Sequence, residues 1–358
     1  MEKSNYSEQI DKLLPGVVVS TVKKLETTPD GKQPKYRFLD MCREKYSIDG
    51  KWETLLAKYS FVKADVVAMD SPLPPKSRPS LGVASGIIPK SGLKKERMET
   101  RLKELQNLAK LEKFAQFDKE LMSDPVACVY GMYESVEHSL LYGLSHGAIV
   151  TTEDDNTGTT SRIDFGYPEE NQYEVNWDDP KTSTPLDDIE ALVDKAEGSI
   201  SVLLMDRVAY KKIRDSHQVR SAVFADGGGV VVDGANLRRP SLNVLNDFLQ
   251  TEYGLVIDVV QRTIKAEKNG NPIELTPWKE GTIVAIPDYN VADLVYTEPA
   301  EDQARVEGVN YSKPKDWMLL SIYRRNEPAL AEVTSVQGIV YPIINNVGGI
   351  YTIDTKKK

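Results

Sequence analysis

The stretch from residue 62 to residue 92 constrains the fold more than any other part of the chain. It reads VKADVVAMDSPLPPKSRPSLGVASGIIPKSG, with prolines at positions 72, 74, 75, 79 and 89. Each proline lacks a backbone N–H and pushes the residue before it toward extended geometry, so this stretch cannot be a helix. Because proline also removes donors from a sheet ladder, the stretch cannot be a central strand either.

The same stretch is too apolar for a solvated linker, since it contains Val66, Leu73, Leu81 and Ile88. An extended segment that cannot complete its own sheet, yet carries apolar groups, is typical of an arm that docks on a neighbouring subunit. If it folds back near its middle, each limb reaches about 45–50 Å at about 3.3 Å per residue. The alternative is a flexible linker between domains, although such linkers are usually more polar.

Composition and charge exclude several classes of protein. The chain has 358 residues, which favours two subdomains with a substantial core, and no apolar stretch is long enough to span a bilayer. The net charge of −9 argues against a protein that grips nucleic acid by its phosphates. The N-terminus lacks a secretory-signal pattern, and Cys42 and Cys128 form no CxxC pair, so we expect a reducing compartment without disulfides.

Local patterns predict short strands interleaved with separated helices, which indicates an α+β fold rather than regular βαβ winding. Residues 1–35 are predicted to be a loosely held polar arm, because Pro15-Gly16 interrupts them. Residues 94–117 lack proline and glycine and are predicted to be a helix with a solvated, charged face. Asp124-Pro125 caps a long helix over 125–146, which Gly147 ends.

Further along the chain, residues 186–197 are predicted to be a helix and 200–205 a buried strand. The Lys-Asn-Gly-Asn sequence at 268–271 is a strong hairpin signal. The C-terminal residues 317–324 and 331–340 alternate as strands do.

No pattern in the sequence matches a catalytic or metal site, and we predict no catalytic residue, no metal and no cofactor. The histidines His138, His146 and His217 stand in no HExxH motif and have no cysteine beside them. Gly227-Gly228-Gly229 is followed by valines instead of the Lys-Ser or Lys-Thr of a phosphate loop.

One enzyme hypothesis stays open at this point. An acidic, metal-dependent hydrolase would use His146, Glu153, Asp154 and Asp155. Equilibrium dialysis that finds no bound divalent metal would exclude it.

Four motifs in a fixed order connect the chain to a known family. They are AMDSPLPPKSRP…SGIIPK (68–90), LLYGLSHGAIV with an acidic loop and DFG (140–166), NWDDP…PLDDI (176–189) and EPALAEVTSVQGIVYPIINNVGGIYTID (327–354). On these motifs the sequence resembles the lambda-type major capsid proteins of tailed phages, the phage major capsid protein E family with its Hong Kong 97-like fold. The resemblance covers the chain from Phe61 to Asp354.

This resemblance implies a division into an N-terminal arm, an extended loop that lies across the neighbouring subunit, a peripheral domain and an axial domain around the five-fold and six-fold axes. The implied ranges are 1–45 for the N-terminal arm, 46–61 for the first part of the peripheral domain, 62–92 for the extended loop, 93–185 for the peripheral domain with its spine helix 125–146, 186–300 for the axial domain, and 301–358 for the C-terminal strands of the peripheral domain.

The resemblance implies a structural protein that assembles with itself, as pentamers and hexamers, into an icosahedral shell around double-stranded DNA. Within the extended loop we expect apolar anchors and polar pairs between subunits. The anchors are Leu73, Leu81 and Ile88, and the polar residues are Lys63, Asp70, Lys76, Arg78 and Lys90.

Expected partners beyond the chain itself are scaffold, portal and cementing proteins, with packaged DNA nearby but not specifically bound, and no membrane. The expected location is the virion capsid, and the host cytoplasm during assembly. An encapsulin-like nanocompartment shell, which carries enzymes instead of a genome, is the structural alternative.

Overall fold

The computed structural model describes residues 5–26, 36–55, 83–152, 160–224, 238–268 and 270–356. The chain divides into two compact units. Unit 1 comprises residues 1–52, 86–140 and 292–343, and unit 2 comprises residues 53–85, 141–291 and 344–358. The predicted boundaries of the arm, loop, peripheral domain and axial domain stay predictions.

Runs of strands and runs of helices follow one another along the described residues, which confirms the predicted α+β class. The helices are α1 (Asn5–Glu26), α2 (Phe38–Met41), α3 (Glu99–Lys110), α4 (Phe114–Leu121), α5 (Ser123–His146), α6 (Pro185–Lys195), α7 (Arg207–Asp215), α8 (His217–Val223), α9 (Leu242–Tyr253) and α10 (Ala300–Gln303). The strands are β1 (Cys42–Tyr46), β2 (Lys51–Leu55), β3 (Val83–Ile87), β4 (Lys90–Met98), β5 (Ala148–Thr151), β6 (Ser161–Asp164), β7 (Gln172–Glu174), β8 (Val202–Met205), β9 (Val256–Val259), β10 (Ile264–Lys268), β11 (Asn271–Leu275), β12 (Thr282–Ile286), β13 (Ala292–Thr297), β14 (Asn310–Lys315), β15 (Met318–Arg325), β16 (Ala331–Ile344) and β17 (Tyr351–Asp354).

Unit 1 is built on a sheet whose strands follow the order β1-β13-β16-β15-β14, with β4 also paired to β16. Strand β16 is its centre, and most of its residues are buried. It runs antiparallel to β15 and to β4, where Ala331 lies opposite Met98 and Ile339 lies opposite Lys90. A strand bonded on both sides cannot slip without losing both ladders, so β16 fixes the register of β4.

The long helix α5 confirms the prediction over residues 125–146, and it begins two residues earlier, at Ser123. Its residues Val129, Met132, Tyr133 and Val136 are buried. Tyr133 joins a group of aromatic rings whose centroids lie 5.4 to 6.4 Å apart, the spacing of edge-to-face packing. The other rings of that group belong to Tyr36, Phe38 and Trp317.

The N-terminal residues form a helix instead of the predicted loose arm. Helix α1 runs through Pro15 and packs against β14. Proline costs a helix one hydrogen bond and a steric clash, so the sequence pattern read Pro15-Gly16 as a break. Burial of a stripe at helical spacing offsets that cost. The stripe consists of Ile10, Leu14, Val18, Val22 and Leu25.

The predicted helix over residues 94–117 is wrong in two places. Residues 94–98 belong to strand β4, because pairing with β16 overrides their helix propensity. The remainder is split into α3 and α4 at Glu112, whose φ of 55° is left-handed and ends the first helix.

Unit 2 is built on a sheet in the order β7-β17-β12-β8-β9. Strands β8 and β12 are buried along their whole length, which confirms the predicted buried strand at 200–205. Helices α6, α7, α8 and α9 contribute residues to the same apolar core as β8 and β12. Strands β10 and β11 form the predicted hairpin, with Lys268 opposite Asn271.

Helix ends in unit 2 follow local sequence signals. Pro185 stands in the first turn of α6, and the Asp206 side chain accepts a hydrogen bond from the Ala209 N–H at the start of α7. Gly254 ends α9 with a left-handed φ of 70°. No helix in the described ranges is both long and apolar enough to cross a membrane.

Candidate intersubunit arm and its root

Strands β2 and β3 form a two-stranded sheet, and the segment 56–82 connects them. The Ile88 N–H, just after β3, donates to the Gly50 carbonyl, just before β2, at 2.9 Å. The bond joins the start of one strand to the end of the other, as an antiparallel pair requires. The chain therefore leaves and returns at one place, which we call the arm root (residues 47–55 and 83–90).

Pro89 lies between β3 and β4, outside both ladders. This is the position where a residue without an N–H removes no ladder hydrogen bond. The prolines at 72, 74, 75 and 79 lie outside the described residues.

Two of the eight predicted contact residues lie in the described part of the chain. Ile88 is buried within unit 1, and Lys90 is exposed at the start of β4, opposite Ile339. Their role between subunits stays a prediction. The other six lie outside the described residues: Lys63, Asp70, Leu73, Lys76, Arg78 and Leu81.

Trp52 on β2 and Gly86 on β3 approach each other closely within the arm root. The Trp52 side chain is buried, and a Cβ on Gly86 would lie 2.8 Å from its Nε1 atom and 3.0 Å from its Cε2 atom. No real Cβ approaches an aromatic ring that closely, so this position accepts glycine alone without a shift of the indole. No local sequence pattern signals this role of Gly86.

Strand β4 ends on a buried arginine. Arg97 is 6% exposed, and its Nε lies 2.7 Å from Asp124 Oδ2, while its Nη1 lies 3.3 Å from Glu332 Oε1. The same guanidinium donates to the carbonyls of Leu121 (2.9 Å) and Glu120 (2.7 Å), the last two residues of α4. These contacts join β4, β16 and the start of α5 through one side chain, as the forked guanidinium permits.

The sequence pattern missed this cluster, because it assigned the charges of residues 94–117 to a solvated helix face. For Arg97 that assignment is wrong, since its charge is buried and paired. Its partner Glu332 is 235 positions away in sequence, and no local pattern reveals such a pair.

A second ion pair lies one residue earlier on β4. Glu96 Oε2 lies 2.5 Å from Arg325 Nη2, and Glu96 Oε1 lies 3.0 Å from Lys94 Nζ. Hydrogen bonds from Lys94 and from Arg325 lower the pKa of the Glu96 carboxyl below its ordinary value. Both cations favour the ionised carboxylate at neutral pH.

His146, at the end of α5, was the one histidine of the hydrolase hypothesis. Its ring stacks on Tyr142 with centroids 3.9 Å apart, and burial lowers the pKa of its imidazole. Ser145 Oγ lies 3.0 Å from His146 Nδ1, but the same oxygen donates to the Leu141 carbonyl and accepts from the Lys279 N–H. The serine therefore completes the helix end and a neighbouring turn.

Acidic groups were the other part of the hydrolase hypothesis. Within the described residues, no three His, Cys, Asp or Glu side chains are grouped so that they could hold a metal ion. Glu153, Asp154 and Asp155 lie outside those residues.

Among the solved structures compared with this chain, the first shows a similar fold. A prophage capsid protein from Escherichia coli CFT073 superposes with a TM-score of 0.53 at 15% identity, over 77% of this chain and 80% of that one. A phage-related protein from Bordetella bronchiseptica RB50 gives 0.46 at 10% identity, over 95% and 96%. The satellite phage P4 procapsid, which includes a size determination protein, gives 0.46 at 9% identity, over 97% and 90%.

Comparison with sequences gives the family. No curated protein matches the chain. The profile of the family described as phage major capsid protein E matches residues 131–321, more than half of the chain. The matched range includes most of α5, all strands from β5 to β14, and the start of β15. The chain therefore belongs to the phage major capsid protein E family and is a major capsid protein of a tailed phage.

Proposed function

We propose that copies of this chain assemble into a closed icosahedral shell around double-stranded DNA, and that the extended loop of each copy lies across its neighbour. The family match over residues 131–321 is the observation that carries the assembly part of this proposal. The arm root supports the loop part, because paired strands hold both ends of a 56–82 segment that is rich in proline and apolar residues.

Closed symmetric assembly multiplies modest interface energies, so each contact can stay reversible while the whole shell is stable. A loop that reaches the next subunit adds contact area without a larger folded body. The net charge of −9 suits a wall that surrounds DNA without binding to its phosphates.

The family is one of structural proteins, and we propose that the chain has no catalytic role. Scaffold, portal and cementing proteins are its proposed partners during and after assembly. Assembly would take place in the host cytoplasm, and the finished location would be the virion capsid.

The test begins with the chain expressed alone and imaged by negative-stain electron microscopy. We expect uniform hollow shells or tubes, which an enzyme hypothesis does not explain. If the protein stays monomeric at high concentration, the proposal is wrong. Particles isolated from infected cells should contain DNA, and a cargo of enzyme instead would support the nanocompartment alternative.

A loop variant then tests the arm. Replacement of residues 58–80 by Gly-Ser-Gly-Ser keeps β2, β3 and the buried Ile88 in place. We expect a folded monomer or small oligomer with the circular dichroism of the parent chain but without closed shells. Normal particles from this variant would show that the loop is not needed for assembly, and they would leave the shell proposal intact.

A further inference from the structure

Three arginine side chains of unit 2 converge on one aspartate. Arg214 Nε lies 2.8 Å and Arg239 Nε lies 3.1 Å from the same carboxylate oxygen of Asp215. The Arg220 guanidinium donates to the backbone carbonyl of that aspartate at 2.7 Å. One carboxylate cannot balance three guanidinium groups, so these four side chains keep a surplus of positive charge. We call Arg214, Arg220 and Arg239 the arginine cluster.

Helix α7 extends the arginine cluster with a row of cations. Arg207, Lys211 and Arg214 stand at positions i, i+4 and i+7, which lie on one face of a helix. This row is about 10 Å long at 1.5 Å per residue. Arg207 and Lys211 are exposed, whereas Ala209 and Ile213 are buried in the core. The helix therefore presents the row to solvent, because its opposite side is held in the core.

The charge of this region differs from that of the chain as a whole. Helices α7 and α8 together contain five Lys and Arg residues and one acidic residue, whereas the chain has 45 Lys and Arg against 54 Asp and Glu. Of the five, Lys212 is engaged elsewhere, since its Nζ lies 2.8 Å from Asp178 Oδ1 and donates to the Thr355 carbonyl. The other four, with two arginines that precede α9, form what we call the basic face: Arg207, Lys211, Arg214, Arg220, Arg238 and Arg239.

Aromatic rings hold two of the arginine heads in place. The guanidinium carbon of Arg214 lies 5.8 Å from the centre of the Tyr210 ring, and that of Arg238 lies 5.0 Å from the centre of the Phe224 ring. Contacts of this kind between a cation and an aromatic face are favourable. A side chain that is already ordered loses less entropy when it binds a ligand, so the basic face is prepared for binding.

The chemistry of the basic face fits an anion whose charges repeat along a line. Guanidinium groups bind phosphate through parallel hydrogen bonds, and double-stranded DNA carries one negative charge per about 1.7 Å of its axis. Among the proposed partners, DNA is the one whose charge and spacing are fixed by its chemistry. Because the chain as a whole has a net charge of −9, the rest of its surface does not attract phosphates, and contact would be confined to this face.

We propose that the basic face binds the sugar–phosphate backbone of double-stranded DNA without reading its sequence. The proposal rests on the proposed function, in which the shell encloses DNA. It adds a defined contact surface to that function, because a few phosphates per copy are bound while the acidic remainder of the chain leaves the DNA free.

The test measures binding of the unassembled chain to a fluorescein-labelled duplex by fluorescence anisotropy over a range of NaCl concentrations. For the parent chain we expect the logarithm of the binding constant to fall linearly with the logarithm of the salt concentration. Lys211→Gln/Arg239→Gln should weaken binding roughly tenfold at low salt and reduce the slope by about 2. Both side chains are exposed, so circular dichroism and the thermal midpoint should stay those of the parent. Binding as tight as the parent's would overturn the proposal.

The matched control is Arg162→Gln/Lys265→Gln, which removes the same two charges elsewhere in unit 2. Arg162 is 66% exposed and lies 3.0 Å from Asp164, much as Arg239 is 64% exposed and lies 3.1 Å from Asp215. Lys265 is exposed on β10. We expect this variant to bind the duplex within about twofold of the parent. An equal loss in the control would mean that net charge, not the basic face, sets the affinity, and it would overturn the proposal.

Competition with polyglutamate separates DNA from an acidic protein partner. We expect polyglutamate to displace the duplex only at a total charge concentration at least about tenfold higher, because carboxylates on a flexible chain do not match the fixed spacing of phosphates. Displacement at equal charge concentration would assign the basic face to an acidic protein and overturn the proposal. A parent chain that forms shells but does not bind the duplex would overturn the basic face and leave the shell proposal standing. A chain that binds the duplex through this face but forms no shells would do the reverse.

Lysine acetylation followed by mass spectrometry gives direct evidence of contact. When the duplex is bound, we expect acetylation of Lys211 to slow and acetylation of Lys265 to stay at its rate in the free chain. Protection of both lysines to the same extent would mean that DNA does not select the basic face, and it would overturn the proposal.

Discussion

Strand β4 and the β2–β3 ladder are neighbours in the sequence at the base of the proposed extended loop, and they are held in opposite ways. Strand β4 has nine residues, pairs with the central strand β16 along its length, and ends on the buried Arg97. The ladder has two strands of five residues and leaves Ile87 in solvent. A two-stranded sheet alone is marginally stable in water. The single chain therefore anchors β4 through its own contacts, whereas the ladder keeps Ile87 exposed.

The largest expected effect is at the anchor. Arg97→Ala removes the cation beside Asp124 and the nearer of two cations beside the buried Glu332, whose other partner is Arg324 at 3.5 Å. It also removes donors to two backbone carbonyls. Breaking a buried ion pair from one side typically costs about 3–5 kcal/mol, because the remaining charge stays buried. We expect a loss of this size in the free energy of unfolding of unit 1, measured by hydrogen exchange at the β4 amides in urea.

Arg101→Ala is the matched control, since Arg101 lies just beyond the same strand and is exposed with its partner Glu104. Exposed pairs contribute about 0–1 kcal/mol, so this variant should unfold like the parent. A double variant Arg97→Met/Glu332→Met should lose less than Arg97→Ala, because it removes the more buried of the two carboxylates together with the cation. Equal losses in Arg97→Ala and Arg101→Ala would mean that β4 is not anchored by its buried charge.

The features that local sequence signals encode were predicted, and those that distant contacts create were not. Helix α5 was predicted because Asp124-Pro125 and Gly147 mark its ends within the chain segment itself. Strand β4 was missed because residues 94–98 prefer helix, and their strand partner is more than 230 positions away. Helix α1 was missed because Pro15 reads as a break unless its buried stripe is known.

The candidate site likewise has one part that local sequence predicts and another part that depends on contacts between distant residues. The prolines of residues 62–92 predict an extended arm from their covalent geometry alone, and this arm stays a prediction because residues 56–82 lie outside the described residues. The fit of Gly86 against Trp52 depends on an approach of two strands that are 34 positions apart, and glycine has no side chain whose pattern could report it. The exposure of Ile48 and Ile87 likewise appears only once the turn and strand that present them are known.

At the ladder, Gly86→Ala should have a smaller effect than the loss of Arg97. The new Cβ would lie 2.8 Å from Trp52 Nε1, so the buried indole must shift. Overpacking of this kind costs about 1–3 kcal/mol. Thermal unfolding followed by tryptophan fluorescence should show a lower midpoint than the parent.

Gly16→Ala is the contrasting control for Gly86→Ala. Gly16 lies in helix α1 and a Cβ there would meet nothing within 4 Å. Alanine is favoured over glycine in a helix by about 1 kcal/mol, so this variant should be slightly more stable. If both alanine variants shift the midpoint in the same direction, the contact of Trp52 with Gly86 does not limit the ladder.

The smallest expected effect is the change in stability with pH that Glu96 contributes. Glu96 precedes Arg97 on β4, and its side chain is partly exposed. Lys94 and Arg325 lower the pKa of this carboxyl in the folded chain below its ordinary value of 4.5. The stabilisation is therefore complete above pH 4.5, and it is lost as the pH falls toward the lower folded-state pKa. Glu96→Gln should be slightly less stable than the parent at pH 7, and the thermal midpoints of the two should converge as the pH falls below 4.5. Because the Glu96 side chain is 23% exposed, whereas that of Arg97 is 7% exposed, the difference at pH 7 should be smaller than that of Arg97→Ala. If Glu96→Gln lowered the stability at pH 7 as much as Arg97→Ala does, the Glu96–Arg325 pair would contribute as much to the anchor as Arg97 does. The contrast between β4 and the ladder would then need another cause.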